Sequence, residues 1–138
     1  MAIAQEAAAD GLRGNEVDRN VSPEEMVAYV REETRLEAAA VANGDLLLLK
    51  RLLDAGLPVI IEKGYEPEGE DWMGHYLTLF GYDERAGVFL GLDTFLGPWD
   101  GSGREETYDE VLSYWRHFNR MLVVVFRPED EALVAGLV

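Results

Sequence analysis

Two apolar stretches, Gly74–Tyr82 and Val88–Thr94, flank the five residues Asp83-Glu84-Arg85-Ala86-Gly87. No other feature constrains the chain as much, because runs of this length around a turn-forming segment read as the two antiparallel strands of a hairpin. Side chains alternate across a strand, so His75, Leu77 and Leu79 share one face. A three-residue loop Asp83-Glu84-Arg85 pairs Tyr82 with Ala86, and the same register sets His75 opposite Asp93. Opposite β-carbons lie about 4.5–5.5 Å apart, within reach of an imidazole N–H for a carboxylate. A carboxylate so placed fixes the tautomer of the ring and stabilises its protonated form. A slip of one residue separates the two onto opposite faces. The alternative is then a strand-end histidine and a strand-end aspartate with unrelated partners.

The remaining elements follow from local signals. Residues 1–21 are poorly patterned, with a short alanine run broken by Gly11, Gly14 and Asn15. Ser22-Pro23-Glu24-Glu25 has the form of a capping box with proline in the first helical turn. Leu36–Ala42 reads as a short strand. Asp45 caps a second helix carrying Leu46, Leu49 and Leu53 on one stripe, and Gly56 stands where a helix stops. The run Leu46–Leu49 is apolar nearly all round and predicts burial on more than one side. Pro58–Glu62 is a β-branched strand, and Lys63–Met73 reads as a loop. A second loop is expected over Leu96–Glu106. Thr107 caps a helix bearing Val111, Trp115 and Phe118. Met121–Phe126 is a central strand, and Pro128–Leu137 a terminal helix. Strands bunched in the second half with helices beside them predict an α+β fold with a mainly antiparallel sheet. Residues 22–138 read as a single domain, with no repeat or internal linker.

Composition narrows the function. Twelve basic residues against 27 acidic ones give a formal charge of −15. That balance argues against nucleic acid and anionic membrane surfaces, which select a basic footprint. No apolar run approaches the ~20 residues of a membrane helix. The first ten residues contain no basic residue, unlike a signal peptide, so a cytoplasmic location is the default. There is no cysteine, which excludes disulfides, thiolate metal sites and a thiol nucleophile within this sequence.

Gly74-His75-Tyr76, the apolar residues leading to Gly81-Tyr82-Asp83, and an aspartate closing the next strand together resemble the C-thirty-nine-like cysteine peptidases. That papain-like family includes bacteriocin-leader peptidases and bacterial domains found beside tetratricopeptide repeats. Leu52-Leu53-Asp54-Ala55-Gly56-Leu57-Pro58-Val59-Ile60 resembles the helix and strand that precede the histidine strand in this family. Tyr108-Asp109-Glu110-Val111 with Trp115, followed by Leu122–Phe126, resembles its closing helix and strand. The resemblance covers roughly residues 20–127. It implies the C-terminal part of a papain-like fold, with His75 as catalytic base and Asp93 as orienting acid. In the family the cysteine opens an N-terminal helix, preceded by a glutamine that helps form the oxyanion hole. Gln5 is the only glutamine here and no cysteine follows it, so the oxyanion role is not carried to it. Ser22, Ser102 and Ser113 lie in a helix cap, a loop and a late helix, none of them at the required position.

The resemblance therefore implies a truncated peptidase-like domain that is inactive as it stands. Completed by an upstream cysteine, it would hydrolyse peptide, amide or thioester bonds with a Cys-His-Asp triad. The alternatives are a non-catalytic peptide-binding or protein-interaction module on the same fold, and an unrelated α+β enzyme that uses His75 and Asp93 otherwise. Trp72, Trp99 and Tyr76 are the candidates to line a peptide cleft. No cofactor is expected. Nor is a metal: His75, Asp93 and His117 lack ligand spacing, and the acidic loop with Glu66, Glu68, Glu70 and Asp71 does not match a calcium loop. Loss of a helix that covers the sheet would expose apolar surface, so a homo-oligomer or swapped dimer is expected.

Overall fold

The computed structural model describes residues 21–65, 73–93, 96–98 and 100–138. Most of the poorly patterned N-terminal segment, with Gln5, lies outside the described residues, as do Trp72 and Trp99. Helix α1 (Pro23–Glu33) starts where its caps dictate. The Glu25 N–H donates to Ser22 Oγ at 3.1 Å, and the Ser22 N–H donates to Glu25 Oε1 at 3.3 Å. Strand β1 (Glu37–Val41) and helix α2 (Leu46–Asp54) follow, the latter capped by Asp45, which accepts from the Leu48 N–H at 2.8 Å. Three consecutive strands come next: β2 (Val59–Tyr65), β3 (Met73–Asp83) and β4 (Val88–Asp93). Strand β5 (Arg104–Thr107) leads directly into helix α3 (Tyr108–Trp115), capped by Thr107, and a 3-10 turn at Arg116–Phe118. Strand β6 (Leu122–Phe126) is buried along its whole length, and a 3-10 turn at Pro128–Asp130 precedes helix α4 (Glu131–Leu137).

All six strands form one antiparallel sheet in the order β1-β6-β2-β3-β4-β5. Because β6 lies inside the sheet and is covered on both faces, its side chains are apolar without alternation. One face carries Val59, Ile61, Leu77, Leu79, Phe89, Leu122 and Val124 under α2, α3 and α4. The other carries Ile60, Val123 and Val125 under Met26, Val27 and Val30 of α1. Among the described residues, no helix is long and apolar enough to cross a membrane.

Four expectations need correction. Strand β2 continues through Lys63, Gly64 and Tyr65, which pair with His75, Gly74 and Met73, so both ends of the expected loop belong to the hairpin strands. The Arg104-Glu105-Glu106-Thr107 segment, also expected as loop, is the edge strand β5. Its polarity hides it, since edge strands tolerate charge that would be expelled from a sheet centre. The Leu46–Leu49 run is not buried all round, because Leu47 is 55% exposed. Finally, the β3–β4 register differs: Tyr82 stands opposite Phe89, not Ala86.

Gly91 of β4 is required by close approach. A β-carbon there would lie 2.7 Å from Leu77 Cδ1, inside the core. Gly91→Ala is expected to destabilise the protein by about 1–3 kcal/mol, read as a lower urea midpoint with an unchanged slope.

Candidate functional site

His75 and Asp93 do meet, but not as opposite residues. Next to the turn, Asp83, Tyr82 and Gly81 pair with Val88, Phe89 and Leu90. The register then shifts between Leu79 and Gly81, so that Phe80 is the extra residue of a β-bulge. Beyond it Leu79 faces Gly91 and Leu77 faces Asp93. Had the turn register continued unbroken, Asp93 would stand opposite Thr78, whose side chain points away from the His75 face. The bulge restores the parity, and Asp93 approaches His75 along the diagonal of one face. His75 Nε2 lies 3.1 Å from Asp93 Oδ2. An ionised carboxylate can only accept, so opposite it Nε2 carries the hydrogen and Nδ1 is left as the acceptor nitrogen of the ring. Nδ1 is shielded from solvent within the protein.

Two further groups extend this pair. Lys63, the direct partner of His75 across β2 and β3, places its Nζ 3.5 Å from Asp93 Oδ2 and 2.5 Å from Glu106 Oε1. Its ammonium also lies 5.5 Å from the centroid of the Tyr114 ring on α3. Arg104 Nε reaches Glu106 Oε1 at 3.4 Å. Asp93 is held from its other side, where Oδ1 accepts from the Leu96 N–H at 2.8 Å. Side-chain exposure is 14% for His75, 9% for Lys63, 1% for Glu106 and 0% for Asp93. Burial pushes the Glu106 carboxyl above its ordinary range, while Lys63 and Arg104 pull it back. Burial among Glu106, Glu110 and Asp93 likewise raises the Tyr114 phenol. Neither Lys63 nor Glu106 was apparent from sequence, because both sat in segments read as loop. The available signal was the β-branched run Val59–Ile61, which leads into Lys63 at strand spacing.

Tyr76 does not join this group. It alternates to the other face of β3, where its hydroxyl donates to the Val21 carbonyl and packs with the α1 cluster. Beside it, burial raises the Glu62 carboxyl to about 7, opposed by the Tyr76 hydroxyl and reinforced by Glu24. Tyr76 therefore anchors the entry to α1 and is not on the His75 side of the sheet. His117 is exposed on the 3-10 turn. Among the described residues, no group of three histidine, aspartate or glutamate side chains is placed to hold a metal ion.

Two stability predictions follow from these burials. Lys63→Met leaves Glu106 and Asp93 facing each other without their ammonium and is expected to cost about 3–5 kcal/mol. Adding Glu106→Leu should recover most of that loss, so urea unfolding of the single and double variants measures the coupling. Glu62 is a raised carboxyl, so its neutral form is favoured by folding. Its contribution is most favourable below its unfolded value and is lost as pH rises through about 7. Glu62→Gln should therefore abolish a fall in stability between pH 5 and 8 of about 1–2 kcal/mol, after allowance for partial solvation.

Comparison with known proteins places the fold. A solved structure from Bacillus anthracis, of a protein provisionally assigned as a C39-like peptidase, matches with a TM-score of 0.58 at 13% sequence identity. The match covers 75% of this chain and 57% of that one, so this chain spans little more than half of its length. No family model matches the sequence, and no curated protein matches it. The fold is thus α+β and papain-like, with helices flanking an antiparallel sheet.

Proposed function

We propose that this chain is the histidine–aspartate part of a C-thirty-nine-like thiol hydrolase site. The carrying observation is the 3.1 Å contact between His75 Nε2 and Asp93 Oδ2 on a sheet of peptidase-like fold. In this reading Asp93 orients the ring and stabilises its protonated form. His75 Nδ1 accepts the proton of a cysteine thiol and later returns it to the leaving group. The thiolate attacks the carbonyl of a peptide, amide or thioester bond and forms an acyl intermediate that water cleaves. The sequence contains no cysteine, so the nucleophile in this reading comes from outside it. By this route the 138-residue chain alone is inactive. The absent cysteine equally favours a second reading, in which the same fold binds peptides without cleaving them.

The test begins with the genomic sequence upstream of the Met1 codon. An in-frame extension encoding a glutamine and then a cysteine should give a longer product that hydrolyses fluorogenic peptides or thioesters. Its His75→Ala variant should be slower by about 10²–10⁴-fold. The 138-residue chain should show no turnover. Turnover by the short chain that survives His75→Ala would sink the hydrolase reading. A stop codon upstream, with no such extension, would leave the binding module in its place.

A further inference from the structure

A cavity of about 590 Å³ opens on the outer side of α3, away from the Tyr114 and Trp115 side of that helix. Its lining includes Asn43, Asp109, Leu112, Arg116, Asn119 and Arg120. Five of the ten lysines and arginines among the described residues pair with carboxylates, Arg104 with Glu106 among them. Lys50 pairs with Glu84, Lys63 with Glu106 and Asp93, Arg31 with Glu37, and Arg127 with Glu129 and Asp130. Arg116 and Arg120, like Arg35, Arg51 and Arg85, form no ion pair among the described residues, and these two border the same cavity.

The wall that carries them is fixed by the backbone. Asn119 and Arg120 are consecutive left-handed residues, with φ of 54° and 46°, and the neighbouring Asn43 has φ of 58°. Such conformations are sparsely populated by residues other than glycine, and here hydrogen bonds hold them. The Asn43 N–H donates to the Asn119 carbonyl and the Gly44 N–H to the Arg120 carbonyl, each at 3.0 Å. The Arg120 N–H donates to the Trp115 carbonyl at 3.3 Å. Two guanidinium-bearing residues and two carboxamide-bearing residues are thereby set around one concavity on a hydrogen-bonded turn.

We infer that this cavity binds the free C-terminal carboxylate of a peptide. Guanidinium groups recognise carboxylates through paired N–H donors. The Asn43 and Asn119 side chains each offer a donor and an acceptor, the complement of a terminal peptide group. Leu112 supplies an apolar wall for the last side chain. Asp109 discriminates among anions: its carboxylate repels a phosphate dianion more than a singly charged carboxylate whose neighbouring N–H groups it can accept. The same 3-10 turn carries Phe118, which fills the space left by the missing side chain of Gly74. A β-carbon on Gly74 would lie 3.2 Å from Phe118 Cζ. The occupant thus sits one short turn from the strand of His75. Binding itself does not depend on His75 acting as a base.

Amide chemical-shift titration of the full 138-residue chain tests the inference, with acetyl-Ala-Ala-Leu as free acid, the same peptide as its C-terminal amide, and inorganic phosphate as probes. The free acid should give saturable shifts at Ser113, Asn119 and Arg120, and should bind at least about tenfold tighter than the amide. Binding should weaken as sodium chloride is raised. Arg116→Gln and Arg120→Asn should each weaken it at least about fivefold. Asparagine is chosen at position 120 because it tolerates the left-handed backbone. If that variant nevertheless fails to fold, the exposed Arg116 carries the test. Equal binding of acid and amide, phosphate binding tighter than the peptide acid, or unchanged affinity in Arg116→Gln would each overturn the inference.

Discussion

Side-chain alternation in an antiparallel sheet leaves no intermediate positions, and the site depends on that constraint. A residue on β4 shares a face with His75 or it does not, and the choice is set by whether the register between them is even or odd. The turn at residues 84–87 sets the wrong parity, and the single extra residue at Phe80 reverses it. Everything chemical on this face is downstream of that correction. Asp93 reaches His75, Lys63 reaches Asp93, and Glu106 is drawn into the same group from β5. A bulge of this kind is a positional device as much as an irregularity. Phe80 itself stays partly exposed and lies against Gly103, where a β-carbon would approach its ring at 2.6 Å.

The second constraint is the cost of burying charge. Asp93 and Glu106 are withdrawn from water almost completely, and neither is tolerable there alone. Lys63 bridges them, the Leu96 N–H donates to Asp93, and the Arg104 guanidinium adds an ion pair to Glu106. Hydrophobic side chains of similar size would hold this part of the sheet at least as well. A buried polar network is therefore weak evidence of stabilisation. What the network does achieve is orientation: one Asp93 oxygen is committed to His75 and Lys63 and the other to a backbone N–H. The imidazole then faces a carboxylate that cannot rotate away.

How much of this the sequence displays depends on whether the signal is local. The caps at Ser22, Asp45 and Thr107 are legible because a hydroxyl or carboxylate three residues before a free N–H is a local relation. The buried strand at Leu122–Phe126 is legible from its unbroken apolar run. Strand β5 is not, because Arg-Glu-Glu-Thr has no apolar pattern and is paired only through its backbone on one side. The register of β3 on β4 is not legible either, since a bulge is decided by packing across several strands. The nearness of His75 and Asp93 was readable, but for a different reason from the one that operates. The expected register and the observed one both place the two residues on the same face, one directly and one diagonally. Lys63 and Glu106 are 43 residues apart, and only the sheet order brings them together.

A papain-like sheet does not by itself carry a papain-like reaction, because folds are shared by proteins with unrelated activities. A base and its orienter lower the barrier only for a nucleophile within hydrogen-bond reach, and this sequence supplies no thiol. The His75–Asp93 geometry nevertheless has a direction. With Nε2 facing the carboxylate, Nδ1 is the ring nitrogen left to accept, and it lies within the protein and not at its open surface. The buried charges on this face thus fix the orientation of the imidazole and add little to the stability of the sheet.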